Sequence, residues 1–308
     1  MSGRIDVIGF GAIAVDHIVY VDRPLSAGKG KVTGRRLAHG GNVATALVAV
    51  ARLGGRGAFI GWLPDLADDV AGIELQREGV DISMAPHRPD AAPIRSQITV
   101  GSDGERFIAY DDDVPHGTSD SLAEETFTAA AVLLVDGYAV HSEPAVGRAK
   151  ALGVTIVADI EWSVGEATDR VMALADHLVL PMAFGRGATG LNDPVDILDR
   201  LWRSDLTAVV LTDGERGSYL RQIGDERIWH IPAIPVQTVD TTGAGDCYHG
   251  AYALAVARGE KPLDCAAYAT AAAALSVTAE GGRSGLPTDT ACREIMRQAA
   301  APTIVKLR

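Results

Sequence analysis

Cysteine is scarce in this chain. Cys247, Cys265 and Cys292 make an odd number with no C-x-x-C pair. That excludes a disulfide framework and leaves three reduced thiols serving as small apolar residues. Positive charge is also short: 28 Lys and Arg stand against 40 Asp and Glu, a net charge of −12. Such a chain lacks the basic footprint of a nucleic-acid binder and the basic amphipathic segment of a membrane-surface protein. No run reaches the ~18 uninterrupted apolar residues of a membrane span. Arg4 and Ala12-Ile13-Ala14 imitate a signal peptide, but Asp6 and Asp16 interrupt the apolar stretch, and Gly9 and Gly11 weaken it as a helix. It reads as a strand, and the chain as cytoplasmic. No internal repeat or low-complexity linker divides the 308 residues, so residues 1–308 read as a single domain with a full core.

What is present is a change of pattern along the chain. Early apolar pieces at 5–10, 17–21, 31–37 and 58–61 read as strands, with a helix over 41–53 and another over 70–78. Residues 94–100 and 106–110 flank Gly101-Ser102-Asp103-Gly104, a hairpin signal. Beyond residue 120, strands at 131–136, 154–158, 177–180 and 208–212 alternate with helices at 143–152 and 164–175, and a strand at 219–222 follows. That alternation predicts an α/β fold with a mainly parallel sheet covered on both faces. The pieces at about 14–38 and 94–111 do not fit it and predict a small separate antiparallel sheet.

The most informative stretch is Val239-Asp240-Thr241-Thr242-Gly243-Ala244-Gly245-Asp246, followed by an apolar, Ala-rich stretch. Small residues at 243–245 let the backbone turn and aim several N–H groups one way. A helix predicted to begin at Asp246 adds its unpaired N–H groups and positive dipole end. The result is an anion hole with a carboxylate at its rim. Asp246 is either an ordinary N-cap or a base for a hydroxyl that attacks phosphorus held in the hole.

The octet resembles the second signature of the ribokinase-like (PfkB) carbohydrate kinases. Gly40-Gly41-Asn42, leading into 43–54, resembles their first signature, and the likeness runs in order from about Val7 to Pro287. The resemblance implies a three-layer α/β/α fold with a small β lid that covers the acceptor and mediates dimers. It implies transfer of the γ-phosphoryl of ATP to a sugar, with Mg²⁺ as cofactor. Asp246 is then the base, and Gly243, Ala244 and Gly245 supply N–H groups to the phosphoryl. Asp16, Gly40, Gly41 and Asn42 correspond to acceptor contacts, although Asn42 alone also reads as an N-cap. Thr212-Asp213-Gly214-Glu215-Arg216-Gly217 resembles the T-x-G-x-x-G nucleotide loop, with Thr212, Gly214 and Gly217 toward ATP. Gly281-Gly282-Arg283-Ser284-Gly285 resembles the loop near adenine, with Gly282 in contact. The region around Asp240 and Thr242 is where several members hold a monovalent cation.

One departure is clear. After Leu180, where many members carry Asn-x-x-Glu to organise magnesium through water, this chain reads Pro181-Met182-Ala183-Phe184-Gly185. No metal ligand is assigned; Asp159 or Glu161 are the candidate stand-ins. Lys29, Lys31, Arg35, Arg36 and Arg95 make the lid basic, which fits either an anionic acceptor bound through Lys29 or a solvated face. The opening, the Gly28-Lys29 turn and residues 281–285 resemble the sulfofructose-kinase branch, while Tyr138 stands where a basic residue would support that substrate. A nucleoside kinase, or an impaired sugar-binding protein of this fold, are the alternatives. Gly9-Phe10-Gly11-Ala12-Ile13-Ala14 imitates a dinucleotide fingerprint, but a strand-like stretch follows where a helix is needed.

Overall fold

A computed structural model describes residues 4–65 and 69–307; residues 1–3, 66–68 and 308 of the span read as one domain lie outside them. In chain order the strands are β1 Ile5–Phe10, β2 Ala14–Val21, β3 Val32–Gly40, β4 Gly57–Phe59, β5 Ile94–Val100, β6 Arg106–Asp111, β7 Ala130–Val135, β8 Thr155–Asp159, β9 His177–Pro181, β10 Ala208–Thr212, β11 Ser218–Gln222, β12 Arg227–Ile231 and β13 Thr303–Leu307. The helices are α1 Asn42–Arg52, α2 Val70–Arg77, α3 Glu124–Thr128, α4 Glu143–Ala151, α5 Glu166–Leu174, α6 Met182–Thr189, α7 Pro194–Leu201, α8 Ala244–Ala257, α9 Pro262–Ser276 and α10 Asp289–Met296.

Nine strands form the main sheet in the order β13-β12-β11-β10-β9-β8-β7-β1-β4. From β4 to β10 the pairing is parallel, and β11 to β13 add antiparallel strands. The parallel strands are near-continuous apolar runs because helices cover both faces, and the core accordingly falls into two clusters on opposite sides of the sheet. The order in which strands are added reverses around β1, whose neighbours are β4 and β7. In an open sheet, that crevice at the carboxyl ends of the strands is where ligands bind. The second sheet, β3-β2-β5-β6, is antiparallel at its two outer pairs and parallel between β2 and β5.

Helices α8 and α9 are buried nearly all round, which their Ala-rich composition permits. A Cβ at Gly250 would overlap the backbone of Ala46, so α8 lies against α1 at unusually close range. Asn42 and Asp246 each stand four residues, about 6 Å of helix, before that contact. The packing of two apolar helices therefore sets the two polar N-termini side by side.

Several elements depart from the sequence reading. Helix α8 begins at Ala244 rather than Asp246, with Gly243 as its N-cap. Asp246 is thus in the first turn and is not the cap. Helices α6 and α7 were not expected over 182–201. Gly185 and Gly187 weaken that stretch in isolation, but Met182, Phe184, Ile197 and Leu198 are buried there, and burial outweighs propensity. Strands β12 and β13 were also unassigned.

Candidate active site

Gly243 is held at φ 73°, and a Cβ there would stand 2.6 Å from the Gly282 carbonyl oxygen. Backbone conformation and close approach each require glycine. The turn opens α8, with Ala244 N donating back to the Thr241 carbonyl at 3.2 Å, and the close approach of Gly282 seats the loop 281–283 against it. Asp240 organises the approach. Its carboxylate accepts from Thr242 N and Oγ1 at 3.0 and 2.7 Å and from Gly281 N at 3.0 Å, with Arg106 of the lid 3.7 Å away. Although burial pushes the Asp240 carboxyl up, these donors hold it below the ordinary range.

Four carboxylates face one another at the ends of β7 and β8 and the start of α8. Asp136 follows β7, is 2% exposed, and accepts from Ala12 N at 2.6 Å and Tyr138 N at 2.9 Å. Burial nevertheless pushes it up to about 7. Asp159 ends β8, also 2% exposed, and is raised by burial and then by Glu161, Asp246 and Asp136. Asp246 is pushed up to about 7 by burial first and by Glu161 next, with Arg283 pulling it down. Glu161 is exposed at the rim.

Asn42 is the first residue of α1 and Gly41 its N-cap, so Asn42 is not the cap. Its side chain instead hydrogen-bonds Asp159. His249, one turn after Asp246, has Nδ1 3.2 Å from Asp159 Oδ2 and Nε2 3.2 Å from the Val179 carbonyl oxygen. Burial pulls it down to about 4, so it is neutral at pH 7. Asp16 lies across from Gly40, where a Cβ would stand 3.3 Å from Asp16 Oδ2. Beyond Asp136 a ring cluster closes the crevice. His116 stacks on Tyr138 at 4.0 Å, Trp162 meets Tyr138 edge-on at 5.3 Å, and Tyr138 donates to Asp112 at 3.4 Å.

The structure therefore brings Asp16, Gly40, Gly41, Asn42, Gly243, Ala244, Gly245, Asp246 and Gly282 to one place. Thr212 is two strands from Asp159, about 10 Å along the same edge. The turn after it, with Gly214 at φ 55° and Gly217 at φ 90°, is closed by Asp213 N donating to Gly217 O at 2.7 Å. Lys29 is not brought to this set: it is exposed in the turn beyond β2, whose last five residues run about 16 Å past Asp16. The sequence reading missed Asp136 and left His249 and Arg283 without roles. For Asp136 and His249 the sequence signal was an acid or a histidine at an apolar run, and for Arg283 its place in the glycine-rich stretch 281–285.

Across residues 4–289 the chain matches the family model for pfkB family carbohydrate kinases. It is 28% identical to fructokinase-1 of Zea mays, over 97% of this chain and 99% of that one. Arabidopsis thaliana ribokinase, solved with ribose and ATP, superposes with a TM-score of 0.81 at 21% identity, covering 96% of this chain and 99% of that one. An E. coli chain assigned as ribokinase II, in complex with ATP and Mg²⁺, gives 0.81 at 22%, covering 96% and 99%. No helix among the described residues is long and apolar enough to cross a membrane. The chain belongs to the pfkB family of carbohydrate kinases, phosphotransferases with an alcohol group as acceptor.

Proposed function

We propose that this protein transfers the γ-phosphoryl group of ATP to a hydroxyl of an uncharged monosaccharide. The observation that carries the reading is Asp246 in the first turn of α8, beside the N–H array of 243–245 and facing the acceptor signature. Asp246 takes the hydroxyl proton as the sugar oxygen bonds to the γ-phosphorus. The bond from that phosphorus to the bridging oxygen breaks, ADP leaves, and the N–H groups receive the phosphoryl charge. Asp16 and Asn42 orient the acceptor. Thr212, Gly214, Gly217 and Gly282 flank the nucleotide.

Mg²⁺ fits this edge. Asp136, Asp159 and Asp246 are raised first by burial and then by neighbouring acids, so a cation beside them would favour their ionised forms, and the donors are hard oxygens. Among the described residues no three acidic side chains converge closely enough to ligate one ion directly, so phosphates and water would hold it, with exposed Glu161 as the outer carboxylate. Bound there, it neutralises charge on the transferring phosphoryl. Arg106 beside Asp240 already supplies a cation at the octet, so turnover is expected to be the same in potassium and in tetramethylammonium buffers.

What supports an uncharged acceptor is the state of the lid cations. Arg36 is engaged by Glu280 and Ser284, while Lys29, Lys31, Arg35 and Arg95 are exposed. A nucleoside acceptor has one observation in its favour, the ring cluster of His116, Tyr138 and Trp162. An ATP-coupled screen of hexoses, pentoses, sulfosugars, sugar acids and nucleosides decides among them. Turnover confined to sulfosugars or sugar acids would restore Lys29 as an acceptor contact. We also propose that two copies associate through the lid, whose Leu37, Phe107, Ile108 and Tyr110 are 51–68% exposed. Light scattering is expected to show a dimer, and Phe107→Asp a monomer.

A further inference from the structure

Arg283 is the cation that faces Asp246. It leaves α9 by a loop that touches the octet twice, through Gly281 N on Asp240 and through the Gly282 carbonyl against Gly243. Its guanidinium turns the other way along the crevice. Nη2 donates to the Gly40 carbonyl at 2.9 Å, and Nε to Thr45 Oγ1 at 3.2 Å. Its own carbonyl accepts from Arg52 Nη1 at 2.8 Å, and Arg52 is in turn clasped by Glu78 at 2.8 Å. One half-buried side chain thus joins the first signature to the second. The groups that face Asp246 are otherwise acidic: Glu161 from the loop after β8, Asp136 after β7 and Asp159 at the end of β8. His249 on α8 is neutral. Burial pushes Arg283 down to about 10, which leaves it charged at pH 7.

We propose that Arg283 is a positioning residue for phosphoryl transfer: it fixes the acceptor signature at Gly40 and Thr45 to the loop that seats Gly243, and it supplies a positive charge opposite Asp246. The inference rests on Asp246 as the base. A guanidinium suits both duties, because its planar fork reaches two oxygens on one element while its charge remains beside another. Lysine keeps the charge and loses the fork.

The test is the pH dependence of kcat/KM, with kcat and sugar KM separated, for the wild type, Arg283→Met, Arg283→Lys, Thr45→Val and Asp246→Asn. Arg283→Met is expected to move the acid limb up by about one pH unit and to cost about tenfold in kcat/KM at pH 7, a loss that shrinks at pH 9. Arg283→Lys is expected to keep the acid limb and raise sugar KM. Thr45→Val, which removes one tether and no charge, is expected to raise sugar KM with the acid limb in place. This holds even where Arg283→Met does not fold. An acid limb that vanishes in Asp246→Asn yet stays put in folded Arg283→Met overturns the inference, as does Arg283→Lys behaving like Arg283→Met or Thr45→Val leaving sugar KM unchanged. An acid limb that survives in Asp246→Asn is instead the failure of the base assignment.

Discussion

Aspartates at the carboxyl edge of the main sheet and in the turns of its antiparallel extension are in opposite electrostatic states. At the β7–β8 edge, Asp136, Asp159 and Asp246 crowd together with Glu161, and burial and mutual repulsion raise all three. On the β11–β12 hairpin, Asp225 is clasped by Arg227 at 2.7 Å and also accepts from Trp229 and Gln222, which holds its carboxyl far below the ordinary range. Asp213 is likewise forked by Arg216, at 2.7 Å to each oxygen. The same residue type is paired with a cation in these two turns and crowded with other acids at the edge where we place the chemistry. Perturbed carboxylates in a cleft mark candidate functional groups, and here the paired aspartates are the internal control.

Four substitutions or titrations break or sharpen that contrast. Asp246→Asn is expected to lower kcat by at least about 10²–10³-fold, measured at saturating sugar and MgATP. It should also raise the unfolding midpoint at pH 8. A carboxyl raised to about 7 in the folded protein stabilises it below the unfolded value near 4, and that contribution is lost as pH rises through 7. The amide removes the charge that pH 8 forces into the cluster.

Gly243→Ala comes next. It strains a φ of 73° and drives a methyl into Gly282, so it is expected to cost about 1–3 kcal/mol and lower kcat/KM about tenfold or more. Unfolding and steady-state kinetics with MgATP measure both.

The wild-type pH profile is a smaller effect. Because Asp246 must be ionised to accept a proton, kcat/KM is expected to climb from pH 6 to 8 with a midpoint near 7. A profile flat from pH 5 upward contradicts it.

Asp225→Ala should have the smallest effect on activity, leaving kcat/KM within about twofold. It lowers the unfolding midpoint by about 2–4 °C for each kcal/mol lost, since Trp229 Nε1 and Gln222 Nε2 lose their acceptor.

What was legible in the sequence divides along the same line. The octet, Gly40-Gly41-Asn42 and the alternating strands are local patterns, each fixed by residues adjacent in the chain. The fold class follows from them, because apolar strands of four to six residues between helices have few other ways to bury both faces. Asp136, Asp159 and His249 carry no such local sign. Each is a single polar residue at the margin of an apolar run; the register of β7 against β8 and the close seat of Gly250 on Ala46 bring Asp136 and Asp159 to Asp246, while His249 lies one turn along α8 from it. Arg283 was visible as part of a glycine-rich loop, but its reach to Gly40 spans 243 positions in sequence. Helix α6 was hidden by its glycines, which local propensity penalises and packing against Ile197 and Leu211 restores.

The most direct test of the claim that Asp246 is poised for proton transfer is a carbon-13 titration of the aspartate side-chain carboxyls in the free protein. Two resonances, those of Asp136 and Asp246, should titrate near pH 7, and one of them should disappear in Asp246→Asn, while the Asp225 resonance shows no inflection above pH 3. If the resonance lost in Asp246→Asn titrates below pH 5 in the wild type, the cluster does not hold this carboxylate as described, and the account of the site is contradicted.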